Sequence, residues 1–88
     1  MSDFQVEVRV VPREGILDPQ GKAVAGALKS LGFEGVDHVH VGRLVTLSLS
    51  ADSADAAQAA AVAMCRQLLA NPVTEDFHVS VTPAREAR

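Results

Sequence analysis

The 88-residue sequence predicts one α+β domain: four strands in an antiparallel sheet, with two helices covering one face. Three observations predict it. Apolar residues alternate at Phe4, Val6, Val8 and Val10; they recur at three-to-four spacing in two later segments; and they return to alternation at Val45, Leu47, Leu49 and at Phe77, Val79, Val81.

The elements follow in order. Phe4 to Val11 reads as a strand with Gln5, Glu7 and Arg9 on the face opposite its valines. Pro12 to Leu17 is a loop. Asp18 then caps a helix that has Pro19 in its first position, where a missing N–H does no harm. Val24, Ala27, Leu28 and Leu31 make its apolar stripe. Gly32 supplies the left-handed residue that ends it, and Gly26 in its interior suggests close packing. A second strand is expected over Val36 to Val41, a tight turn at Gly42-Arg43, and a third strand over Leu44 to Ser50, the two strands forming an antiparallel hairpin. Asp52-Ser53 begins a second helix, with Ala57, Ala61, Met64 and Leu68 in one stripe and Val62, Cys65 and Leu69 beside it. Asn71-Pro72 stops that helix, and the last strand carries Phe77, Val79 and Val81.

This is the ferredoxin-like βαββαβ order, for which right-handed crossovers give strand order 4-1-3-2 and an outer sheet face bearing His38, His40 and His78. Residues 1–82 form a single domain, and 83–88 are expected to fray as a charged tail.

Composition removes several classes of function. A net charge of −3 and three aromatic residues leave no basic footprint and no stacking platform for nucleic acid. No apolar run is long enough to cross a bilayer, and Met1-Ser2-Asp3 does not read as a signal peptide, so the expected location is the cytoplasm. One cysteine excludes an internal disulfide, and so small a core points to self-association as the added constraint.

Candidate chemistry is sparse. Gly15 to Lys22 has five residues between its glycines, and Ala23 follows the lysine, so it lacks both the spacing and the hydroxyl of a phosphate loop. His38 and His40 share a face of the expected strand, but His78 would lie three strands away, about 14 Å. That is too far for zinc, whose ligand bonds are about 2 Å. Cys65 falls inside an apolar stripe with no base beside it and reads as a buried, inert thiol. Glu75 and Asp76 are neighbours on a strand, so they point to opposite faces and cannot act as an acid–base pair.

Three segments carry a resemblance: Leu17-Asp18-Pro19-Gln20-Gly21, Val41-Gly42-Arg43, and Met64-Cys65 followed by Leu68 through Phe77 (LLANPVTEDF). In combination and spacing they are similar to the PurS family, the small subunit of phosphoribosylformylglycinamidine synthase, from about Phe4 to Val81. Arg43 stands where a lysine is common and Phe77 where a tyrosine is common. The resemblance implies a non-catalytic subunit of a purine-biosynthetic amidoligase. It would form dimers or dimers of dimers and bridge a glutaminase subunit and a large synthetase subunit while ammonia passes between them. It would hold no cofactor itself; ATP and magnesium would belong to the synthetase. The polar residues at element ends within these segments, Asp18, Gln20, Arg43, Asn71 and Glu75, are the candidate partner-contact residues. The competing role is a small-molecule-sensing regulatory domain of the same fold, which would show as a thermal shift with an amino acid or nucleotide.

Overall fold

The computed structural model describes residues 1–15 and 18–84. Leu17 and residues 85–88, most of the expected tail, lie outside the described residues.

The element order is β1 (Ser2–Pro12), α1 (Pro19–Ser30), β2 (Arg43–Ala51), α2 (Ala54–Met64), a π-helical turn (Cys65–Leu69) and β3 (Glu75–Pro83). The sheet has three strands in order β2-β1-β3, and both pairings are antiparallel. Phe4, Val6, Val8 and Val10 face the core, where the last three are fully buried. Each such valine contributes on the order of 1.5–3 kcal/mol by leaving water. Their cross-strand neighbours are Val45, Leu47 and Leu49 on one side and Phe77, Val79 and Val81 on the other. Ala57, Ala61 and Cys65 pack down onto this face with no exposure. The small alanines bring α2 close to the sheet.

The local signals at both helices hold. Asp18 caps α1, with Pro19 in the first turn, and Gly32 is left-handed at φ +94°. The Ser53 side chain accepts the Ala56 N–H and caps α2. The last helical turn, which the sequence led us to expect as α, is π-helical, with the Ala70 N–H donating to the Cys65 carbonyl.

The expected four-stranded sheet is not formed. Residues 36–42 belong to no strand, and there is no hairpin turn at Gly42-Arg43. The physical reasons lie in the segment's own backbone. His38 adopts a left-handed conformation (φ 53°), and its N–H is taken by the Asp37 carboxylate. The Val41 N–H is taken by the Asp18 carboxylate 23 residues away. Gly42 lies so close to the Val10 carbonyl that a Cβ there would overlap it. Of the expected order 4-1-3-2, the first three positions stand and the last is vacant.

The missing strand also displaces a helix. Three strands at about 4.8 Å spacing give a sheet about 14 Å wide. A helix with its side chains is about 10–12 Å across. Only α2 fits over the sheet, and the expected layer of two helices becomes one. Helix α1 stands off as an arm. The radius of gyration is 16.5 Å and the extents are 51 × 31 × 15 Å, whereas a compact chain of this length has a radius near 12 Å. Most of the stripe expected to be core is consequently exposed: Val24 is 40% and Leu31 72% accessible, as is Phe33 just beyond the helix at 56%.

Candidate functional site

The arm leaves the body at a shoulder built by the three family-like segments. Asp18 is its pivot. One carboxylate oxygen accepts the Gly21 N–H at 3.0 Å, which caps α1, and the other accepts the Val41 N–H at 2.9 Å. His40 Nδ1 lies 3.6 Å from that second oxygen. Gly21 permits the arrangement, because a Cβ there would be driven into the Val39 carbonyl. One residue thus ties the start of the arm helix to the segment that returns from it.

A second set of bonds holds the turn after the π-helical residues. Arg43 makes a two-pronged pair with Glu75, Nη1 to Oε2 at 2.7 Å and Nη2 to Oε1 at 3.0 Å. Nη2 also donates to the Leu69 carbonyl at the helix C-terminus, where positive charge is favoured. Glu75 Oε1 accepts the Asn71 N–H at 2.8 Å, and Asn71 Oδ1 accepts the Val73 N–H at 3.0 Å. Arg13 closes the turn from the other side: Nη2 donates to the Pro72 carbonyl at 2.6 Å, and Nε pairs with Asp76 at 3.2 Å.

Between these two sets lies a cleft of about 380 Å³ lined by Asp18, Gln20, Val41, Gly42, Arg43 and Glu75, with Pro12 and Thr74. Four of the residues expected from the sequence, Asp18, Gln20, Arg43 and Glu75, therefore meet in one place. Asn71 sits behind them, bonded to Glu75. Glu75 and Asp76 do point to opposite faces, toward Arg43 and Arg13 respectively. Sequence reading missed Arg13, which follows a strand-ending proline and carries no local signature. It also missed the Arg43–Glu75 pair, whose partners are 32 residues apart.

The histidines do not share a face. His38 is on the left-handed loop, His40 is beside Asp18, and His78 is exposed on the outer face of β3. Among the described residues no three of His, Cys, Asp or Glu converge to hold a metal. Cys65 is fully buried, and burial pushes its thiol pKa up. No described helix is long and apolar enough to cross a membrane.

Both carboxylates are held below their ordinary range. For Asp18 the Gly21 N–H is the main cause and the Val41 N–H the next. For Glu75 the Arg43 hydrogen bond leads and the Asn71 N–H follows. A depressed pKa in the folded chain contributes stability that is present above the unfolded value, near 4, and is lost as pH falls through the folded value. Both clamps are therefore expected to hold through the ordinary carboxylate range and to loosen only as pH falls through the lowered folded values. Amide exchange at Val41 and Asn71, corrected for intrinsic rates, should accelerate there. Protection that stays constant from pH 6 down to acid unfolding of the whole domain would contradict the assignment.

These features describe a small α+β domain with an ordered polar cleft at the root of an apolar arm that the described residues leave bare. Residues 5–83 match the sequence profile of PurS, described as phosphoribosylformylglycinamidine (FGAM) synthase. The chain belongs to the PurS family. It is 42% identical over 73 residues to the synthase subunit PurS of Mycobacterium leprae, covering 83% of this chain and 89% of that one. It is 37% identical over 79 residues to that of Synechocystis, covering 90% and 79%. Among solved structures it is similar to Bacillus subtilis PurS, with a TM-score of 0.79, 37% identity and coverage of 90% and 98%. A chain of the PurLQS structure from Thermotoga maritima gives a TM-score of 0.84 at 26% identity, covering 93% and 100%.

Proposed function

We propose that the chain serves phosphoribosylformylglycinamidine synthase as its small, non-catalytic subunit in purine biosynthesis, joining a glutaminase subunit to an ATP- and magnesium-dependent synthetase subunit. The observation that carries this reading is the bare arm. A helix of 12 residues is marginal on its own in water, and this one exposes Val24 and Leu31 along one side. Its stability has to come from another chain. The first such chain is a second copy, because Val45, Leu47, Leu49, Phe77, Val79 and Val81 are only half-buried and flank the space α2 leaves open. Arms exchanged between two copies would give each sheet its second helix.

The cleft residues Asp18, Gln20, Arg43, Asn71 and Glu75 then lie at or near the partner surfaces. A bridge of this kind supports ammonia transfer without reactive groups of its own. It holds two active sites in register, so that ammonia reaches the second before it protonates in bulk water.

The test is to combine glutaminase and synthetase with and without this chain and follow product formation. With glutamine as nitrogen donor, leaving the chain out should abolish most of the activity. With ammonium salt, leaving it out should matter far less. Equal glutamine-dependent rates in both mixtures would remove the bridging role.

A further inference from the structure

We propose that the turn after the π-helical residues docks a chain other than a copy of this one, with Leu68 and Val73 entering an apolar socket whose rim carries carboxylates. The inference rests on the bridging role and adds to it a surface and the kind of partner that fits it.

Apart from Met1, Leu68 at 82% and Val73 at 74% are the most accessible large apolar side chains among the described residues. Turns exposed to water ordinarily favour glycine, proline and small polar residues. A single exposed aliphatic needs no explanation, but these two flank a turn that is held at nearly every step. The Leu69 and Pro72 carbonyls accept from Arg43 and Arg13. The Asn71 N–H donates to Glu75, and the Val73 N–H to the Asn71 side chain. The Asn71 carbonyl accepts the N–H groups of Thr74 and Glu75, and the Thr74 carbonyl accepts that of Arg13. A surface already fixed in this way loses little further freedom when a partner binds it.

Charge selects the partner. Arg43 pairs with Glu75 and Arg13 with Asp76, whereas Arg66 has no carboxylate partner among the described residues. Arg66 shares a groove of about 650 Å³ with Arg13, Pro72, Phe77 and His78. The turn is thus locally cationic on a chain whose net charge is −3. Two copies meeting turn to turn would set Arg66 against Arg66. A partner with carboxylates around an apolar centre meets both the arginine and the two aliphatic side chains.

The test titrates the chain into fixed glutaminase and synthetase and follows the glutamine-dependent rate. Leu68→Ser with Val73→Ser should raise the chain concentration that gives half the maximal rate by roughly tenfold or more. Leu68→Met with Val73→Ile keeps the surface apolar and should leave that concentration near the unaltered value. Arg66→Glu should raise it as well, and should flatten its dependence on salt. All three variants alone should keep the mass and Tm of the unaltered chain. An unchanged half-maximal concentration in the serine variant would overturn the proposal. So would a fall in that variant's own mass, which would assign Leu68 and Val73 to contacts between copies. Failure of the bridging role looks different: the unaltered chain would leave the rate unmoved at every concentration.

Discussion

Gly21→Ala is expected to be one of the most damaging single-methyl changes in the chain, while Gly26→Ala, five residues along the same helix, should be harmless or stabilising. At Gly21 a Cβ would run into the Val39 carbonyl and crowd Asp18 Oδ2. The first of these is backbone, so no side-chain rotation relieves it. Either the returning segment moves off the helix or the helix start shifts, and in both cases Asp18 loses its pair of N–H donors. Overpacking of this kind costs about 1–3 kcal/mol, occasionally more. Against the roughly 4–13 kcal/mol expected for 88 residues, that is a large fraction. It should lower Tm by about 10–20 °C if the cost is near the upper value. At Gly26 nothing lies within 4 Å of the added atom, and replacing a mid-helix glycine by alanine gains about 0.8–1.0 kcal/mol. Thermal unfolding of both variants at matched concentration is the measurement. Equal Tm values would show that the shoulder does not bear on stability.

Val24→Asp combined with Leu31→Asp is expected to abolish arm-mediated association. The two positions are seven residues apart, on one side of α1, and both are exposed in the single chain. The fold of an isolated copy therefore has no reason to change. An assembled copy would lose two buried aliphatic side chains, about 3–6 kcal/mol, or roughly 100- to 10,000-fold in dissociation constant. Sedimentation should show the fall in mass, and glutamine-dependent synthase activity should fall with it. Helix signal in circular dichroism should also drop, because a 12-residue helix without a partner frays. An unchanged mass would mean that the stripe contacts nothing and that the arm has another purpose.

Much of this architecture was legible in the sequence because it is local. The alternation at Phe4 to Val10, the Asp18-Pro19 cap, Gly32 and the Asn71-Pro72 stop each declare a conformation through neighbours within a few residues. The strand adjacencies that do form, β1 with β2 and β1 with β3, also followed from right-handed crossovers. The failures are long-range. Val36 to Val41 has the composition of a strand, but its Val41 N–H bonds to a carboxylate 23 residues back, and no local pattern reports that. The loss of that strand then removed the seat of α1. The candidate residues were chosen for being polar at element ends, which proved to place Asp18, Gln20, Arg43 and Glu75 around one cleft. What each of them bonds to there could not be read, since Arg43 meets Glu75 only once β1 has been laid between their strands.

The stand-off helix has a consequence for how free and assembled copies meet a protease. An unassembled copy keeps residues 31–42, which belong to no helix or strand, largely exposed to solvent, and a protease cleaves what opens locally. A copy whose arm has been received by another chain hides that segment. Free chains are therefore expected to be cut in this segment faster than assembled ones, which limited proteolysis of the chain alone and with its partners would show.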